Sequence, residues 1–123
     1  MLFRSNFEIA TRVPLIMAGP GISKSRARSI AELVDLYPTV CELSGVPLPE
    51  HLESESLTSA IYHRGRSTTL SQYSRFSGKY TSRTLRTDRY RSVIWETGNR
   101  NRVVHQELYD HHLDPHDNNK RGR

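Results

Sequence analysis

A chain of 123 residues has room for one modest core, because at this size only about two thirds of the surface exposed by the unfolded chain is removed from water. Mean hydropathy is −0.66 and hydrophobic content 35%, lean for a globular domain but too rich in Leu, Ile, Val and Tyr for wholesale disorder. No apolar run approaches the roughly 20 residues that cross a bilayer, and a single cysteine, Cys41, rules out an internal disulfide and a paired-cysteine metal site.

The net charge of +5 comes from arginine, with fifteen Arg against three Lys. Arg is the side chain suited to bidentate capture of carboxylate, phosphate or sulfate. The excess therefore points either to an anionic partner or to carboxylates that lie outside this chain.

In chain order, Val13-Pro14-Leu15-Ile16-Met17 reads as a short buried strand closed by the turn Gly19-Pro20-Gly21. Ile22 to Arg28 is polar and basic, a surface loop. Leu36, Val40 and Leu43 repeat at helical spacing, Asp35 is a suitable N-cap, Pro38 fits the first turn, and Gly45 stands where a left-handed C-terminal residue is wanted. Ser29 to Glu32 also fits a capping box, but the longer helix would carry Pro38 in its interior, so Ile30 to Val34 is read as strand-like or irregular. An acidic, Ser-rich connection through Glu53 and Glu55 leads to a helical turn over Leu57 to Tyr62.

Strands follow over Thr68 to Tyr73, Tyr80 to Arg86 and Tyr90 to Glu96, with Thr87-Asp88 as the last turn, and a further strand over His105 to Tyr109 ends before Asp114-Pro115. In the third strand Arg91, Val93 and Trp95 share one face, and Tyr90, Ser92, Ile94 and Glu96 the other. Gly98 to Arg102 reads as a polar turn and Asn118 to Arg123 as a disordered tail. The sum is an α+β fold, a small antiparallel sheet with a helix packed on one face.

Several segments, in order, resemble the back half of sulfatases. Thr11-Arg12-Val13-Pro14-Leu15-Ile16 comes first, then Glu32 to Val40 with Leu43-Ser44-Gly45. Ser71-Gln72-Tyr73, Arg83 to Arg91, and Glu107-Leu108-Tyr109-Asp110 with Asp114-Pro115 complete the series. Ser5-Asn6-Phe7-Glu8 and the Ser-Gln-Tyr strand look most like the iduronate-2-sulfatase branch. The resemblance implies a C-terminal fragment of an alkaline-phosphatase-like α/β sulfatase. Residues 1–22 would be the last strand region of the catalytic domain, residues 23–117 the C-terminal α+β subdomain, and residues 118–123 a tail. A missing N-terminal sulfatase domain would be the partner, and a sulfated glycan or other sulfate ester the substrate of the complete enzyme.

The same resemblance implies formylglycine, made from a cysteine in a Cys-x-Pro-Ser-Arg type motif, and calcium held by Asp with Asn or His side chains. Cys41 is followed by Glu42-Leu43-Ser44-Gly45 and fits a buried structural cysteine, not that motif. A lysine of the family's site stands two residues before the Ser-Asn that matches Ser5-Asn6, a position held here by Phe3. The dense stretch from Asp110 to Asp117, with His111, His112 and His116, could attract zinc or nickel, but Pro115 forbids paired histidines at helical spacing and a turn is the better reading. No catalytic or metal-binding residue is assigned.

Arg89 and Arg91, in a hairpin that lies near the rim of the cleft in the family, are candidates for contact with an acidic glycan. The opposing reading of the arginines is a small non-catalytic module binding anionic polymers; neither a nucleic acid nor a membrane is expected as a partner. Glu8 and Arg12, four apart, are placed for a surface ion pair.

Overall fold

The computed structural model describes residues 5–62, 65–97 and 102–117. Phe3, most of the expected turn from Gly98 and the expected tail from Asn118 lie outside the described residues. The chain divides into two units, one made of residues up to Ile16 together with those from Leu70 onward, the other of Met17–Thr69.

The first unit holds the sheet. Strands β1 (Thr68–Arg75), β2 (Tyr80–Thr87), β3 (Tyr90–Thr97) and β4 (Val103–Asp110) lie side by side in chain order. β2 pairs with β3 and β3 with β4, both antiparallel. The four strands are those expected, each longer by one to three residues. Two turns explain the order. Phe76, Ser77 and Gly78 all have positive φ, which reverses the chain sharply between β1 and β2 at a cost only Gly escapes. Thr87 closes the next turn, its hydroxyl donating to Tyr90 O at 3.2 Å and accepting the Tyr90 N–H at 2.8 Å.

Alternation then decides the faces. Ser82 opposes Trp95, Thr84 opposes Val93, and Arg91 opposes Tyr109, so one face carries Ser82, Thr84, Arg91, Val93, Glu107 and Tyr109, all buried. Residues 5–11, including the short helix α1 (Glu8–Thr11), cover it. The Asn6 amide donates to Ser82 Oγ at 3.0 Å, and Phe7 meets Tyr109 edge to face at 5.8 Å, a favoured aromatic geometry. This covered face is largely polar, so hydrogen bonds and ion pairs position it as much as apolar burial does.

The second unit contains a 3-10 turn (Leu33–Asp35), helix α2 (Leu36–Leu43) and helix α3 (Thr58–Tyr62). The capping box is made by Glu32 with Asp35, not by Ser29: the Glu32 side chain accepts the Asp35 N–H and Asp35 Oδ2 accepts the Glu32 N–H at 2.9 Å. Asp35 therefore caps the 3-10 turn and makes no side-chain cap on α2. At the other end Gly45 adopts φ 67°, and the Val46 and Gly45 N–H groups donate to Cys41 O and Glu42 O at 2.9 and 3.2 Å, a Schellman closure as the glycine suggested.

Two expectations are corrected. Residues 13–17 form no strand: Val13, Leu15 and Ile16 are exposed, Ile16 by 91%, because no neighbouring strand among the described residues offers them a ladder. In α2 the buried side is Pro38, Thr39 and Cys41, whereas Val40 and Leu43 of the apolar stripe face solvent. The helix is held by its less apolar side. Thr39 Oγ1 donates to Asp35 O at 2.5 Å and accepts the Leu57 N–H at 2.8 Å. Arg66 bonds to Glu32 and, at 2.9 Å, to Asp35.

Candidate functional site

Among the described residues, a buried polar cluster gathers side chains from five places in the first unit. Glu8 opens α1, Arg86 comes from the end of β2, Arg91 from the start of β3, His111 from just beyond β4, and Asp117 lies six residues further on. Arg91 turns inward because strand alternation puts it on the covered face. Asp117 has φ 57°, a left-handed conformation that Asp tolerates better than most residues, and its Oδ2 accepts the Glu8 N–H at 2.7 Å.

Arg91 is 1% exposed. Its Nη2 donates to Glu8 Oε2 at 2.6 Å and to Thr11 Oγ1 at 3.3 Å, and its Nε lies 3.3 Å from Asp117 Oδ2. Arg86 Nε reaches the same Glu8 oxygen at 3.4 Å. His111 Nε2 stands 3.0 Å from Asp117 Oδ1. With the imidazole neutral, two carboxylates and two guanidiniums balance. Burial, then the charge of Arg86, lower the pKa of His111; burial likewise lowers that of Arg91. Next to this cluster Tyr109 donates to Glu107 Oε2 at 2.7 Å, and burial followed by that bond pushes its pKa up.

Glu8, His111 and Asp117 each offer a ligand atom, all within 4.8 Å of one another. Calcium takes six to eight oxygen ligands, whereas here the two carboxylates already serve Arg86 and Arg91. A cation would have to displace a buried guanidinium, so the cluster does not fit calcium. Cys41 does not fit a formylglycine precursor either: it is buried within α2 and followed by Glu42-Leu43-Ser44-Gly45. The cluster is an ionic clasp tying both ends of the described chain to the sheet.

Of the two arginines singled out from the sequence, Arg91 is enclosed in this clasp. Arg89 differs: it forms a bidentate pair with Asp110, at 3.1 and 2.9 Å, stacks 4.8 Å from the centre of the Tyr90 ring, and leaves about half its side chain exposed. A guanidinium stays charged at any physiological pH, and the Asp110 pair orients this one at the β2–β3 turn. The Glu8 to Arg12 pair forms at 3.6 Å, but only Arg12 is exposed while Glu8 is buried, so it is not the surface pair expected, and the closer partner of Glu8 is Arg91. That contact spans 83 residues of sequence, and no local spacing announces it. His111, inside the clasp, was visible from the sequence only as part of a histidine-dense turn.

Along the sequence, a helix closed at Leu43-Ser44-Gly45 is followed by a four-stranded antiparallel sheet in chain order. The family described as N-sulphoglucosamine sulphohydrolase, C-terminal, matches residues 3–121. The chain belongs to that family of sulfatase C-terminal domains. It is 32% identical over 124 residues to arylsulfatase K of Rattus norvegicus, covering 90% of this chain and 21% of the relative. Among solved structures, a sulfatase from Bacteroides fragilis matches with a TM-score of 0.57 at 26% identity, over 69% of this chain and 19% of that one. A protein described as a 2-O GAG sulfatase matches with a TM-score of 0.51 at 26% identity, over 66% and 18%. The chain thus spans about a fifth of the length of these relatives, and its fold is that of the small antiparallel subdomain of alkaline-phosphatase-like sulfatases.

Proposed function

We propose that this chain is the C-terminal part of a sulfatase of the iduronate-2-sulfatase type that hydrolyses sulfate esters on a sulfated glycan, and that alone it turns over no ester. The observation that carries this is the family match over residues 3–121, combined with a single cysteine buried in a helix and lacking the maturation motif. The substrate class draws support from Ser71-Gln72-Tyr73 on β1 and from structural similarity to a protein described as a 2-O GAG sulfatase.

Formylglycine and calcium supply the nucleophile and Lewis acid in complete enzymes of the family, and since no residue described above fits either, no step of ester cleavage is assigned to this chain. In this reading residues 1–22 belong with the catalytic domain and residues 23–117 form the subdomain. Arg89 stands at the cleft rim, where its exposed guanidinium donates to a sulfate or carboxylate of the glycan. Arg91 serves from behind, fixing Glu8 and Asp117 and with them the hairpin that carries Arg89.

A chimera tests the proposal. Grafting this chain in place of the matching segment of rat arylsulfatase K should give an enzyme that releases sulfate. Arg89→Ala in it should raise KM for a sulfated disaccharide about three- to tenfold and leave turnover of a simple aryl sulfate unchanged. A cooperatively folded chimera without activity contradicts the functional reading, and an unchanged disaccharide KM contradicts the role of Arg89.

A further inference from the structure

The basic side chains divide into two sets. Among the described residues, Arg12, Arg66, Arg83, Arg86, Arg89 and Arg91 each face a carboxylate. Lys24, Arg26 and Arg28, all exposed, face none of the described carboxylates. The sequence explains why: no Asp or Glu stands between Glu8 and Glu32, and Glu32 and Asp35 are already engaged by Arg66. In the second unit, unpaired positive charge is therefore gathered on the loop that precedes the 3-10 turn.

That loop is fixed at both ends and bare between them. The Ile22 N–H donates to Gly19 O at 3.2 Å, with Gly21 at φ 79°, and Ser29 Oγ accepts the Gly65 N–H at 3.1 Å. Residues 23–28 belong to no helix or strand. Lys24, Arg26 and Arg28 alternate with Ser25 and Ala27, so their backbones lie at most about 7 Å apart in succession and the three cations make a row no longer than about 14 Å. Small neighbours leave the row open to solvent.

We infer that this loop is an exosite for a sulfated polysaccharide, in the other unit from Arg89. A guanidinium takes a sulfate through paired N–H donors, and a row of cations laid along a linear polyanion gains from the release of condensed counterions. The loop disfavours other polyanions. Gly21 to Ser29 contains no aromatic residue, so a single-stranded nucleic acid finds nothing to stack its bases on. Ile22 is the one large apolar side chain of the segment and is half-buried, so a membrane finds nothing to anchor. The choice of a glycan rests on the proposed function: a second point of attachment raises the effective concentration of the polymer's sulfate esters at a sulfatase.

Heparin serves as the probe, with the full chain. One variant combines Lys24→Gln, Arg26→Gln and Arg28→Gln. Its control loses the same charge from exposed residues of the first unit, through Arg12→Gln, Lys79→Gln and Arg102→Gln. The loop variant should bind heparin about tenfold or more weakly at about 0.15 M salt, and its log affinity should fall with log salt on a slope shallower by about two to three. The control should keep most of both. Acetylation of Lys24 in the unsubstituted chain, read by mass spectrometry, checks the site without relying on the folding of a variant. It should slow about tenfold with heparin at roughly ten times its Kd, since only the free fraction reacts, while Lys79 reacts as before. Equal weakening in the two variants overturns the inference, as does a Lys24 that heparin leaves unprotected. Equal competition by an unsulfated, carboxylated polysaccharide or by duplex DNA, at matched charge, overturns the preference for sulfated glycan. Heparin binding needs no turnover. An active chimera whose loop ignores heparin would strike the exosite and spare the proposed function, and loop-dependent binding in an inactive chimera would strike the activity and spare the exosite.

Discussion

Taking the guanidinium of Arg91 out of water costs several kcal/mol, and Glu8 at 2.6 Å and Asp117 at 3.3 Å are what offset it. Removing one member of such a set leaves the others buried and uncompensated. Arg91→Ala should therefore lower stability by about 3–5 kcal/mol, whereas Arg12→Ala, which removes an exposed partner of the same carboxylate, should cost under about 1 kcal/mol. Urea denaturation of both variants tests the contrast, and equal losses would show that the clasp is not the main tie. The same cluster sets a pH dependence. His111 faces Glu8, Asp117, Arg86 and Arg91, and burial holds its pKa below the unfolded value of about 6.5. The unfolded chain then binds more protons than the folded one in the window just below that value, so stability falls as pH drops through it. His111→Gln should flatten the fall in urea midpoint between about pH 6.5 and 5; an unchanged slope would assign it to other groups.

At the scale of single elements, the strands were legible in the sequence because alternation and turn chemistry are local: Thr87-Asp88 before Tyr90-Arg91-Ser92-Val93 fixes a hairpin whatever surrounds it. Residues 13–17 were not, since an apolar run needs a partner strand to become one. For α2 the periodicity located the helix and Gly45 its end, but the direction of burial depended on Thr39, whose two hydrogen bonds reach Asp35 and Leu57. Thr39→Val keeps the shape and removes the acceptor of the Leu57 N–H, and should cost about 1–3 kcal/mol by urea titration. Gly65 carries a similar message for the loop before β1. A Cβ there would stand 2.7 Å from Ala60 Cβ and 2.8 Å from Ser29 Cβ, so Gly65→Ala should destabilise by about 1–3 kcal/mol through overpacking; a neutral result in either variant would mean that the second unit is packed more loosely than described.

For the whole molecule, the family was legible from short segments spread over most of the chain, and the α+β sheet followed from the same stretches. The candidate site was legible only in part. Arg89 is half exposed beside the β2–β3 turn that the sequence located, but the enclosure of Arg91 by Glu8 and Asp117 depends on contacts between distant ends of the sequence. Among the described residues, Cys41 is packed into α2, and the Glu8 and Asp117 carboxylates beside His111 are engaged by arginines. The central claim, that this chain is a subdomain lending no reactive group of its own, is tested most directly by assaying the purified chain on an aryl sulfate with added calcium. No turnover above background is predicted, with or without chelator. Turnover that a chelator abolishes and that Cys41→Ser removes would contradict the account.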